Sequence, residues 1–115
     1  MNVSITTTPF FERLLKRYVR KFPSLKPELN ILYNILLQNP EFGTDLGHGI
    51  HKIRLAVKSK GKGKRGGFRL ITYVNIIVFQ TDYEVYMAVI YDKNEFNEIS
   101  KKEIIEILKE SGIVI

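Results

Sequence analysis

The stretch KSKGKGKRGGFRLITYV occupies residues 58–74, and its reading decides the fold. Its first half spells G-x-G-x-x-G at Gly61, Gly63 and Gly66. In a dinucleotide-binding unit those glycines lie between a strand and a helix, because the pyrophosphate rests on the helix N-terminus. Here they are followed by FRLITYV, whose β-branched and aromatic residues predict a strand. Nor does GKGKRGG satisfy G-x-x-x-x-G-K-[ST]. The glycine spacing is a coincidence of composition, and the stretch predicts a basic loop between two antiparallel strands. Gly66 and Gly67 let the backbone turn tightly there or approach a ligand closely.

Outward from this loop the pattern is strand-like on both sides. IHKIRLAV precedes it with imperfect alternation, and FRLITYVNIIVFQ is separated from EVYMAVIYD by TDY, which predicts a hairpin. Strands are expected over 50–58, 67–79 and 84–92. Toward the N-terminus, NVSITTTP is a short β-prone run, and FFERLLKRYVRKF then carries its apolar residues at helical spacing. PSLKPELNILYNILLQNP predicts a second helix, with Pro23, Pro27 and Pro40 marking its approach and end. The short break between the two favours an antiparallel helical hairpin. SKKEIIEILKESG predicts a last helix, with Ser100 as N-cap, Glu103 completing a capping box and Gly112 near the end. Apolar stripes on helices and strands require one another for burial. The expected fold is therefore α+β: an N-terminal helical hairpin packed on a three- to four-stranded antiparallel sheet, with a C-terminal helix, in a single domain over residues 1–115.

Composition narrows the function. The 115 residues contain no cysteine, which excludes disulfides, thiolate ligands and cysteine nucleophiles. His48 and His51 do not make a typical zinc site unaided, and neither a metal nor a cofactor is expected. No apolar run is long enough for a membrane span, and the N-terminus lacks the features of a signal peptide, so a cytoplasmic location without membrane association is expected. The net charge is +6, and residues 52–69 hold eight of the 18 basic side chains, namely Lys52, Arg54, Lys58, Lys60, Lys62, Lys64, Arg65 and Arg69. Ten basic residues face twelve acidic ones in the rest of the chain, so the excess positive charge resides in this one segment. Lys52 and Arg54, two apart, point to one face of a strand, and Arg69 returns on its neighbour. Such a surface suits a polyanion, where Lys and Arg neutralise phosphates and release counterions. Phe68, Tyr73 and Tyr91 stand near it as candidates for stacking on unpaired bases. Phe68 and Tyr73 read better as sheet core.

The order of these elements, with KIR on the first hairpin strand, GGFRLITY on the next and YDK closing the last, resembles the RelE/ParE superfamily of type II toxin–antitoxin toxins, in its RelE/HigB-like branch. The resemblance implies an endoribonuclease that cuts messenger RNA in the ribosomal A site, with no cofactor. It implies catalytic roles for Lys52, Arg54 and Arg69. Arg69 would grip the phosphate, and Lys52 or Arg54 would orient or activate the attacking 2′-hydroxyl. RelE relies on a tyrosine in its C-terminal segment. No tyrosine follows Tyr91 here, so Tyr91 and Lys93 are the nearest substitutes. Lys58, Lys60, Lys62, Lys64, Arg65 and Lys93 would contact messenger or ribosomal RNA. The resemblance further implies a cognate antitoxin, and an acidic or amphipathic segment of it is expected to displace or cover the last helix through Ile104, Ile105 and Leu108. Two alternatives remain open at this point: a ParE-like inhibitor of DNA gyrase, or a degenerate member that only binds RNA or its antitoxin.

Overall fold

The computed structural model describes residues 1–61, 63, 66–77, 81–96 and 98–115. The first strand, β1, is Asn2–Thr7, and Thr8 both ends it and starts the next element. Its hydroxyl donates to the carbonyl of Ala88 at 2.7 Å and accepts from the Phe11 N–H at 3.0 Å. One buried side chain thus ties the strand end to the sheet and caps helix α1, Pro9–Lys21. Pro9 suits the first helical position, where its missing N–H costs nothing. Helix α2, Leu25–Gln38, follows after Phe22–Ser24 and turns Leu25, Leu29, Leu32 and Leu36 inward. The expected 3.6-residue pattern is the one observed.

The chain then forms β2 (Thr44–Gly47), β3 (Ile50–Leu55), a short 3-10 turn (Lys58–Lys60), β4 (Phe68–Ile77), β5 (Asp82–Asp92) and α3 (Lys101–Glu110). The α+β class holds, but the sheet corrects the expectation of three or four antiparallel strands. Five strands lie in the order β1-β5-β4-β3-β2, and β1 runs parallel to β5. Parallel neighbours require a long crossover, so the partner of β1 lies some 80 residues away and leaves no local signature. Of the expected strand 50–58, only Ile50–Leu55 is strand, because the backbone winds into the 3-10 turn and ends it at Gly61 in the left-handed region. In the expected strand 67–79, residues 78 and 79 lie outside the described residues. The strand expected at 84–92 begins two residues earlier.

Helices cover both faces of the sheet. Phe11, Tyr18, Phe22 and the α2 leucines pack on Ile53, Phe68, Leu70 and Val85. On the opposite face Ile104 and Leu108 of α3 pack with Ile50, Ile71, Val89 and Tyr91. Between Ile71 and Thr72 the β4–β5 register slips, leaving Ala88 unmatched. This bulge sends Met87 and Val85 to the α1/α2 face and Tyr86 to the α3 face, where it stacks on Tyr73. Among the described residues no helix is long and apolar enough to cross a membrane.

Candidate nucleic-acid interface

Strand register brings the basic residues of the hairpin into rows. Arg54 on β3 is opposite Arg69 on β4, which is opposite Tyr91 on β5. Side chains directly across from one another share a face, so these three form one line about 10 Å from end to end at ordinary strand spacing. Lys52 heads the next row, opposite Ile71 and then Val89. All four residues carried over as catalytic therefore lie on the α3 face. They differ in access. Arg54 is exposed and Lys52 half-buried, whereas Arg69 is 3% exposed and Tyr91 1%.

That burial sets the electrostatics. Desolvation, with the charge of Arg54 adding to it, pulls the Arg69 guanidinium below the ordinary arginine value, and Tyr91 opposes the change. Burial pushes the Tyr91 phenol up; Arg69 acts in the other direction and Glu98 in the same one. Arg69 also donates from Nη1 to the Phe68 carbonyl at 3.2 Å, which orients its planar fork. Two guanidinium groups beside a protonated phenol form a set of donors for a phosphate, held by a rigid sheet.

The residues expected to bind RNA through the loop are placed differently. Lys58 is exposed, and Lys93 is half-buried with its backbone N–H on the Gly67 carbonyl at 3.1 Å. Lys62, Lys64 and Arg65 lie outside the described residues. Lys60 is turned inward: its Nζ pairs with Asp92 Oδ1 at 2.7 Å and donates to the Gly66 carbonyl, and the two paired side chains are 5% and 8% exposed. A long cation can turn inward where a carboxylate meets it, and spacing within a basic run does not show which lysine will do so. Gly67 likewise makes its close approach to the chain itself, for a Cβ there would stand 2.3 Å from the Leu55 carbonyl oxygen. Phe68, fully buried, meets Tyr18 and Phe22 edge-on at 4.8 and 5.4 Å and is core. Tyr73 is also buried. His51 is buried and His48 sits in the β2–β3 turn, while no group of side chains among the described residues is suited to a metal.

Sequence reasoning missed the acids that anchor this loop. The Glu28 carboxylate accepts the Lys58 backbone N–H at 3.0 Å, and the Ser24 hydroxyl accepts that of Ser59 at 2.8 Å. Asp92 holds Lys60. A signal for Asp92 was present, since it is the lone acid in the strand run VYMAVIYD. No protein-family model matches the chain.

Proposed function

We propose that this protein is the toxin of a type II toxin–antitoxin system of the RelE/HigB-like kind, a ribosome-dependent endoribonuclease that cuts messenger RNA and so stops translation in the cytoplasm. The observation that carries the reading is the in-register pair Arg54 and Arg69 beside Tyr91. Like charges directly opposite on neighbouring strands repel, and burial of one of them adds a desolvation cost. Such a pair is favourable when an anion sits between the two cations, and the scissile phosphate is that anion. Its 2′-hydroxyl loses a proton and attacks the adjacent phosphorus, the bond to the 5′-oxygen breaks, and that oxygen takes up a proton. The products are a 2′,3′-cyclic phosphate and a 5′-hydroxyl. Arg54 and Arg69 stabilise charge on the phosphoryl oxygens, Tyr91 is the donor on the leaving side, and Lys52, one row away, orients the 2′-hydroxyl, whose proton passes to water.

Inhibition by an antitoxin belongs to the same proposal. Ile104 and Leu108 are fully buried against the protein's own sheet, so an antitoxin segment would reach them by displacing α3. An apolar groove of about 270 Å³ between α2 and β3, lined by Ile31, Ile35, Phe42 and Leu55 together with Glu28 and Arg54, also supports the reading. An amphipathic segment with an acidic residue fits it.

The burial of Arg69 and Tyr91 favours a second reading, binding without chemistry, as in a ParE-like inhibitor of DNA gyrase. Incubation with translating ribosomes and mapping of messenger ends, beside a gyrase supercoiling assay, decides between them. Cleavage at defined codons with cyclic-phosphate ends is the expected result. Intact messengers together with lost supercoiling would reverse it.

A further inference from the structure

The Lys60–Asp92 pair lies directly behind the proposed site. Asp92 follows Tyr91 and is opposite Phe68, which precedes Arg69. Side chains alternate along strands, so Asp92 and Phe68 face the α1/α2 side while Tyr91 and Arg69 face the other. Lys60 Nζ meets Asp92, reaches the carbonyl of Gly66 six residues on, and lies 6.0 Å from the centre of the Phe68 ring. The strand ends on either side are bound into the same knot: Lys93 donates to Gly67, and Gly67 packs against the Leu55 carbonyl. Few ways exist to satisfy a cation enclosed to this degree, and reaching for a phosphate would leave the buried Asp92 carboxylate with the Asn94 backbone N–H and no cation.

We propose that Lys60 and Asp92 form a clasp that positions the Arg54–Arg69–Tyr91 row, with Lys60 serving the site through Asp92 and making no phosphate contact of its own. A buried ion pair adds little net stability over an apolar one of the same shape, and its best-attested use is to fix register. Here the register it fixes is that of β3, β4 and β5 at the end where the row lies. Lys60 is thus a positioning residue. The consequence for RNA rests on the function proposed above, while the clasp is independent of it.

Three measurements test the inference. In urea unfolding, Lys60→Met should lower the midpoint, and the double change Lys60→Met with Asp92→Leu should regain at least half of the loss. By NMR, solvent exchange of the Arg69 Nε–H should rise about tenfold in Lys60→Met and stay unchanged in Lys60→Arg, while the amides of Ile71 and Val89 remain protected. With a labelled single-stranded oligouridine, Lys58→Ala should reduce the slope of log affinity against log salt by about 0.7, the value for one phosphate contact, and Lys60→Met added to Arg69→Met should leave the slope of the Arg69→Met protein unchanged. A double variant no better than the single one, or unchanged exchange at Arg69, overturns the clasp. So does a slope that falls by about 0.7 when Lys60→Met is added to Arg69→Met, because only a contact made by Lys60 itself is then left to lose. A parent protein that does not bind the oligonucleotide counts against the nucleic-acid reading alone, and the unfolding and exchange results then decide the clasp.

Discussion

At the scale of single residues, Arg69 carries a charge that burial disfavours. Its guanidinium is pulled below the ordinary arginine value by burial and by Arg54. A depressed cation opposes folding while it is charged, and relief comes only as pH rises through its folded value, far above any working pH. Mutation supplies the relief instead. Arg69→Met should raise folding stability by about 0.2–1 kcal/mol, the range for charge pairs set opposite on a sheet, and calorimetry checks it. On the function proposed above, the same change should lower ribosome-dependent cleavage at least about tenfold, the effect of one lost transition-state contact worth about 1.4 kcal/mol. A less active but more stable protein is the signature of a functional arginine. Gly67 makes the opposite case, because its backbone has no room for a Cβ beside Leu55. Gly67→Ala should cost about 1–3 kcal/mol in chemical denaturation, as overpacking does.

At the scale of elements, the helices are pinned at their ends by polar contacts that also set pH dependence. The Tyr18 hydroxyl of α1 donates to Glu95 and accepts the Asp92 N–H at 3.2 Å, and Arg17 grips Glu95 with two bonds of 3.0 Å. Burial, then the bond to Glu95, pushes the Tyr18 phenol up to about 12. A raised acid contributes stability that is complete below its ordinary value near 10 and is lost as pH rises through about 12. The bonds from Arg17 and Tyr18 hold the Glu95 carboxyl below its ordinary range, so its contribution is present above that range and is lost as pH falls through the lowered value. Tyr18→Phe should therefore cost about 1 kcal/mol at neutral pH and less in acid, with urea midpoints at both conditions as the check. At α3, Ser100 accepts the Glu103 N–H at 3.1 Å and the Glu103 carboxylate returns to the Ser100 N–H. Ser100→Ala should cost about 1 kcal/mol and speed amide exchange in the first turn of α3.

At the scale of the whole molecule, β1 closes one edge of the sheet by pairing along β5 from Asn2 and Asp82 to Thr7 and Met87. Removing residues 1–7 would leave the hydrogen-bonding groups of β5 open as a template for another chain. Size-exclusion chromatography of that truncated protein should show concentration-dependent oligomers, whereas the full chain at equal concentration should not. The charge is also a property of the whole. Positive potential concentrated on one hairpin end speeds encounter with polyanions, and the advantage is screened within about 8 Å at physiological salt.

The sequence by itself determined the local elements. Leucine spacing specified α2, the Ser100–Glu103 pair specified the start of α3, and the β-branched run after Gly67 ruled out the dinucleotide loop, because each signal acts within a few residues of backbone. It also placed Lys52, Arg54, Arg69 and Tyr91 on adjoining strands, since consecutive strands joined by short connections pair as neighbours, while their register came from the structure. Only the tertiary structure decided the parallel pairing of β1, the bulge at Ala88 and the side of the sheet that each helix covers, for these depend on contacts across tens of residues. The same holds for access. Charge is written in the sequence, but whether a cation faces solvent like Arg54, lies desolvated like Arg69 or turns inward to a carboxylate like Lys60 depends on what packs around it, because burial is a property of the assembled neighbours and not of the side chain.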